Sequence, residues 1–311
     1  IMPSTPVTSI NLPSEEFINE KFDFSVKFDN TGSSEGYGPY FDLVVPKAIN
    51  LGTASYLGAP ISSIQYTRTA TGWVDGSGTS VTVHPYGSGI ALPTGATGDK
   101  WYLVQLPFGS FVADQPPAEL QFSGNTLSKP DGAQVGTGLN LKTRGGFRYG
   151  NDALDNVGTD PAIQQSGTAT GTITPKVLEL TKTSDAPETE TATGENFART
   201  YTLNVNIANG EKIDSLKVSD FLPKNLVYLP GTLSVTGATL TSSELPTPGA
   251  AQNAPNNDFV LNFGSVTGTD SDSDVVITYK AYAPKIDANN AAVIDAATGD
   301  DRKALNESQV T

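Results

Sequence analysis

Two acidic clusters hold the side chains best suited to chemistry in this chain. Asn151, Asp152, Asp155, Asn156 and Asp160 crowd into one loop-sized stretch, and Asp270, Asp272 and Asp274 alternate with serines. Carboxylate and amide oxygens at such density suit a hard cation, because calcium takes several oxygen ligands and tolerates irregular geometry. Calcium is therefore the expected cofactor, with the first cluster the better placed. It follows Arg144-Gly-Gly-Phe-Arg-Tyr-Gly150, which reads as a dense, structured loop. The second cluster opens like an EF-hand, yet Val275 stands where the sharp-turn Gly belongs and Ala281 where the bidentate Glu belongs. That motif fails, and solvated turn carboxylates explain the same residues.

Signals for enzyme chemistry are poor, and no enzyme is expected. Gly32-Ser-Ser-Glu-Gly36 spells a nucleophile elbow, but it lies in a turn with no helix expected after it. His84 is the single histidine; within the alternating segment Ser80 to His84 it suits a structural role better than a triad base or a metal ligand. Trp73, Trp101 and the tyrosines could form a sugar-stacking face, although aromatic residues at strand spacing more often build a core. Trp73, beside Asp75-Gly-Ser-Gly78, is the one expected to be exposed.

Strands must position all of these groups. Alternating runs rich in Val, Ile, Thr, Tyr and Phe recur at Phe22 to Phe28, Ser80 to His84, Trp101 to Leu106, Ala118 to Phe122, Tyr201 to Ile207, Phe259 to Phe263 and Val275 to Tyr282. Clusters of Gly, Pro, Asn, Asp and Ser separate them at the spacing of a β-sandwich. Helix is nearly absent; Asn289 to Ala297 is either a turn of helix or an ordered loop.

The chain also repeats itself. Phe22-Asp-Phe-Ser-Val-Lys-Phe-Asp-Asn-Thr-Gly32 followed by Tyr40-Phe-Asp-Leu-Val-Val-Pro46 is a looser copy of Tyr201-Thr-Leu-Asn-Val-Asn-Ile-Ala-Asn-Gly210 followed by Leu216-Lys-Val-Ser-Asp-Phe-Leu-Pro223. A second marker pairs Tyr102-Leu-Val-Gln-Leu-Pro-Phe-Gly-Ser-Phe111 with Phe259-Val-Leu-Asn-Phe-Gly-Ser-Val266. Repetition sets architecture before any site is considered. The expected fold is all-β, with two tandem Ig-like β-sandwiches over residues 1–175 and 176–311. The first copy is expected to carry a loop insertion at about 123–167 that the second lacks.

Composition narrows the partners. Lys and Arg number 19 against 33 Asp and Glu, a net charge of −14, which opposes a phosphate backbone or an anionic membrane. Nucleic acid is not an expected partner. There is no cysteine to make disulfides or thiolate metal sites. No apolar run is long enough to span a membrane, and Ile1 to Pro6 lack the pattern of a signal peptide. With 37% apolar residues and 31 glycines the chain is not of disordered composition. The start at Ile1 and the abrupt end at Thr311 read as a fragment of something longer, with neighbouring modules of the same long chain as partners.

From about Val177 to Thr311 the chain resembles the conserved-repeat domain found in tandem on large bacterial surface proteins, related to isopeptide-forming fimbrial domains. The marks are Leu180-Thr-Lys182-Thr, the strand ending in Asn209-Gly210, Val218-Ser-Asp220-Phe-Leu-Pro223, the Phe-Gly-Ser turn, and the terminal Leu305-Asn306-Glu-Ser-Gln-Val310. The resemblance implies an Ig-like sandwich in an extracellular, cell-surface adhesin or stalk. It also implies an intramolecular amide in which Lys182, Asp220 and Asn306 are the matching positions. Burial disfavours the charged forms of an amine and a carboxyl alike, so a neutral amine attacks the carboxamide while a protonated Asp polarises it and ammonia leaves. Glu307 and Ser308 follow Asn306 where the relatives prefer small residues, and Asn306-Glu-Ser308 also spells a glycosylation site. The first domain has no equivalent Lys and Asn, so no crosslink is expected there. The alternatives to a non-enzymatic stalk fragment are a module binding a surface glycan or protein ligand, and a subunit of a filament or surface layer that exchanges a strand with its neighbour.

Overall fold

The computed structural model describes residues 4–127, 135–151, 165–187, 192–222, 225–247, 258–286 and 307–311, the side chains of 307–309 excepted. They divide into two compact units, Ile1–Lys176 and Val177–Thr311, one residue beyond the expected 175/176 boundary. Both are all-β sandwiches.

Among its described residues, unit 1 has ten strands of three residues or more: β1 (Pro6–Asn11), β2 (Glu15–Phe17), β3 (Lys21–Asn30), β4 (Pro39–Val45), β5 (Ile49–Tyr56), β6 (Ser63–Arg68), β7 (Lys100–Gln105), β8 (Ala118–Thr126), β9 (Leu139–Phe147) and β10 (Ala169–Lys176). Among these, one sheet runs β1-β3-β8-β5 and the other β6-β7-β4-β9-β10-β2, antiparallel except where β10 pairs with β2. Phe22, Phe24, Val26 and Phe28 along β3 meet Phe41, Leu43 and Val45 of β4 in the core between the sheets. Edge-on packing of Phe28 against Phe111 and Phe147, each at 5.5 Å, locks this core. Such pairs add about 0.5–1.5 kcal/mol beyond the area they bury.

Unit 2 has eight among its described residues: β11 (Leu178–Ser184), β12 (Arg199–Ile207), β13 (Lys217–Phe221), β14 (Ser234–Thr236), β15 (Leu240–Glu244), β16 (Phe259–Phe263), β17 (Val275–Tyr282) and β18 (Glu307–Val310). Its sheets run β11-β12-β17-β14 and β15-β16-β13-β18. This is the order β1-β3-β8-β5 and β6-β7-β4-β9 again, so the two units share an eight-strand frame. The core holds Leu203, Val205, Val218, Phe259, Leu261, Phe263, Ile277 and Tyr279, contributed alternately by the facing strands.

Two strands of the frame reach into the expected insertion at 123–167. β8 runs on to Thr126, and Leu139–Phe147 is a sheet strand bonded to β4 on one side and β10 on the other. Its place in the sheet order is that of β18 in unit 2. The Gly145-Gly146 pair reads as loop in the sequence but serves close packing within β9. A Cβ on Gly145 would lie 2.8 Å from Thr8 Cγ2 and 3.0 Å from a Phe28 ring carbon. We expect Gly145→Ala to cost roughly 1–3 kcal/mol by overpacking; an unchanged denaturant midpoint would refute it.

The real elaboration of unit 1 is the β6 to β7 connection, residues 69–99, against 245–258 in unit 2. It folds over the outer face of the β4 sheet and buries Trp73, Tyr86 and Ile90 against Tyr40, Val44, Tyr66, Trp101 and Leu103. Every residue of β4 is therefore buried. Within this connection only Ser80–Val81 of the expected Ser80 to His84 strand pairs, with Val74 and Trp73. Asn289 to Ala297 lies outside the described residues.

Candidate crosslink site

Alternation along β13 turns Val218 and Asp220 into the core of unit 2, and Asp220 is fully buried. On β11, Lys182 stands opposite the core residue Leu203. The lysine reaches across: Nζ donates to Asp220 Oδ1 at 2.6 Å, with 13% of its side chain exposed. Tyr201 and Tyr279 flank the ammonium with ring centres at 5.4 and 5.9 Å. They stack on one another at 5.5 Å, and Phe259 lies 4.3 Å from Tyr279. The pair thus sits in an aromatic, water-poor pocket, where charge is costly unless neutralised.

Burial pushes the Asp220 carboxyl above its ordinary range, and Lys182 and the Tyr279 hydroxyl bring it only part of the way back. Its Oδ2 is buried with no hydrogen bond of standard geometry. The fold therefore favours the protonated acid, and that stabilisation is complete below the ordinary carboxylate range and lost as pH rises through the raised value. In the Asn306→Ala chain, which keeps the pair but cannot form an amide, unit 2 should lose stability as pH rises from about 4 towards neutrality. Adding Asp220→Asn should flatten that slope; denaturant midpoints across the pH range decide it, and parallel slopes would exclude Asp220 as the cause.

β18 bonds to β13 with Ser308 opposite Asp220 and Glu307 opposite Phe221, and it runs near β11. Asn306, which immediately precedes β18, lies outside the described residues.

Among the described residues no group of three or more acidic, cysteine or histidine side chains is arranged to hold a metal. Asn151 Oδ1 instead accepts hydrogen bonds from the Ser4 amide and hydroxyl, at 2.8 and 2.5 Å. Asp152, Asp155, Asn156 and Asp160 lie outside the described residues. Asp274 organises its own turn: Oδ2 accepts from Ile207 N at 2.7 Å, and Oδ1 from Thr269 N and Oγ1 at 2.8 and 2.6 Å. Asp270 and Asp272 are exposed beside it.

In unit 1 the acid of the repeated motif faces the other way. Asp42 shares the outer face of β4 with Tyr40 and Val44, while Phe41, Leu43 and Val45 occupy the core face. It takes hydrogen bonds from Trp101 Nε1 at 2.8 Å, His84 Nε2 at 3.1 Å and Arg144 Nη2 at 3.1 Å. His84 Nδ1 accepts the Tyr86 amide at 3.1 Å, so Nε2 is the nitrogen that carries the proton. His84 is structural although it lies outside any strand, and this fourfold cluster had no signal in the spacing. Trp73 corrects its expected exposure: it is buried, packs edge-on to Trp101 at 5.7 Å, and donates Nε1–H to the Pro93 carbonyl at 2.9 Å. Neither tryptophan is free to stack on a sugar. Ser33 and Ser34 lie in a bend before a short strand, with no helix following.

No protein-family model and no curated protein matches the chain. Among solved structures, it is similar to a partial N-terminal region of the enterococcal surface protein at 9% identity, covering 92% of this chain and 85% of that one, with a TM-score of 0.30. It is similar to the major pilin subunit of Bacillus cereus at 9% identity, over 99% of this chain and 66% of that one, TM-score 0.30. AvmM, which catalyzes macrocyclization in alchivemycin A biosynthesis, is similar at 12% identity over 55% of this chain and 88% of that one, TM-score 0.28. No helix among the described residues is long and apolar enough to cross a membrane.

Proposed function

We propose that the chain is a non-enzymatic structural piece of an extracellular, cell-surface protein, in which unit 2 closes an amide between Lys182 and Asn306. The buried contact of Lys182 Nζ with Asp220 Oδ1 at 2.6 Å supports this reading. Moving one proton from Nζ to Asp220 converts the ion pair to a neutral amine and a neutral acid, the form that a low-dielectric pocket favours. Nζ then bonds to the Asn306 side-chain carbonyl carbon, the carbon to Nδ2 bond breaks, and ammonia leaves with the displaced nitrogen. Asp220 hydrogen-bonds the carbonyl oxygen as charge develops and relays the proton. No oxidant or cofactor enters the balance.

A tie between the first and last strands of unit 2 would transmit tension directly, so strands would not peel from the edge. That is what a stalk module needs. Intact mass spectrometry tests the reading: the native chain should weigh one ammonia less than its sequence, with Lys182 and Asn306 joined in one branched proteolytic fragment. An unshifted mass would exclude the amide.

Calcium at Asp152, Asp155, Asn156 and Asp160 belongs to the same proposal as a structural ion of unit 1, not of the crosslink. If present, chelation should lower the melting temperature of unit 1 alone, because an ion bound only to the folded state stabilises it by mass action. A melting curve insensitive to chelator would dismiss it.

A further inference from the structure

A cleft of about 190 Å³ opens on the outer face of unit 1, between β4, β9 and the segment 91–94. Its floor is Asp42 and Val44, one wall is Ala91 to Thr94, and Lys142 and Arg144 project from β9 on the other side. The wall is held at two points. Arg144 Nη2 donates to the Ala91 carbonyl, and Trp73 Nε1 donates to the Pro93 carbonyl.

The charge balance of this cleft runs against that of the chain. Asp42 is its single acid, and that carboxylate is already surrounded by His84, Trp101 and Arg144. Arg144 spends Nη2 on Asp42 and Ala91, which leaves the N–H groups of Nε and Nη1 uncommitted among the described residues. Lys142, two residues away on the same face of β9, makes no ion pair among the described residues. A net positive cleft is thus built into a chain of net charge −14. Ion pairing does not explain it, since a buried Asp with its Arg is seldom a net source of stability. What the Asp42 network does achieve is to fix the guanidinium in one orientation.

We propose that this cleft binds a small carboxylate, seated between Lys142 Nζ and the free edge of the Arg144 guanidinium. Arg presents a planar fork that matches a carboxylate, and Lys adds a point charge. The volume is about that of six waters. It accepts a carboxylate on a short apolar stem against Val44, Leu92 and Pro93, and it is too small for a drug-sized molecule. The site stands independently of the crosslink, which lies in the other unit.

The carboxylate could come from an acidic sugar or from an acidic amino acid, and titration separates them. The full chain, isotope-labelled, is titrated with acetate, glucuronate and N-acetylaspartate, with glucose and acetamide as uncharged controls. Saturable amide shifts at Val44, Leu92, Lys142, Arg144 and Thr168 are expected with the carboxylates and none with the controls; the tighter of the two larger ligands identifies the source. Lys142→Gln leaves the Asp42 network intact and should weaken binding about tenfold, the equivalent of one charge-assisted contact. No localised shift with any carboxylate, equal shifts with the controls, or undiminished binding in Lys142→Gln would each overturn the site.

Discussion

Replacing Lys182 by alanine should abolish the ammonia loss, so that the variant weighs what its sequence dictates, and should lower the melting temperature of unit 2 by on the order of 20 °C. The amide would close a loop of more than a hundred residues, from 182 to 306, and in the chain-entropy model such a link contributes about 5 kcal/mol. Removing the amine also leaves Asp220 buried without its cation, which adds to the loss. Two further variants separate these terms. Lys182→Arg keeps a cation near Asp220 but cannot form the same amide, so it should restore the pairing and not the mass shift. Asp220→Ala keeps both amide partners and removes the acid, and its mass should also be unshifted. Retained ammonia loss in Asp220→Ala would remove the carboxyl from the chemistry; a small, equal melting shift in all three variants would remove the tie itself.

Replacing Asp42 by alanine should destabilise unit 1 by about 3–5 kcal/mol while leaving unit 2 unchanged. The substitution strips the partner from Arg144, from His84 Nε2 and from Trp101 Nε1 at once. Breaking a buried ion pair from one side is costly because the remaining charge stays buried. Arg144 has 16% of its side chain exposed, and His84 has none. The double variant Asp42→Ala with Arg144→Met should recover part of the loss, since an apolar pair avoids the stranded guanidinium. Calorimetry of the whole chain reads both units; the expected record is one transition shifted down and one fixed. An unshifted unit 1 transition, or no recovery in the double variant, would show that Asp42 is not the hub of the outer cluster.

These two experiments address the same letter in the two copies of the repeat. Asp42 stands four residues before Pro46, whereas Asp220 stands three before Pro223. In a strand, one residue of offset moves a side chain to the opposite face. Asp220 therefore enters the core, where an aromatic pocket meets it with Lys182, and Asp42 leaves the core for the outer cluster. Aligning the motifs by their aspartates conceals this. The core face of β4 carries Phe41, Leu43 and Val45, so at this strand unit 1 presents no carboxyl to its core.

Strand existence and the repeat were legible because period-2 alternation is a local property: Phe259–Phe263 and Val275–Tyr282 are strands over the very residues whose alternation marks them. The candidate trio was readable only through family likeness, since nothing in the spacing of residues 182, 220 and 306 links them; the packing of β11 against β13 across the core decides the Lys182–Asp220 contact, and Asn306 lies outside the described residues. The connection at 69–99 was missed because its apolar residues, Trp73, Tyr86 and Ile90, follow no period. They are buried by folding back over an already formed sheet. The same long-range packing made Leu139–Phe147 a strand despite its paired glycines, for Gly145 and Gly146 are required by the approach of Thr8, Phe28 and Tyr40 and not by any turn. The sequence by itself determined an all-β chain, because alternation and turn residues act over a few positions. Which face each polar group meets, and hence the Lys182–Asp220 pair and the Asp42 network, was decided by register and by contacts between strands far apart in the chain.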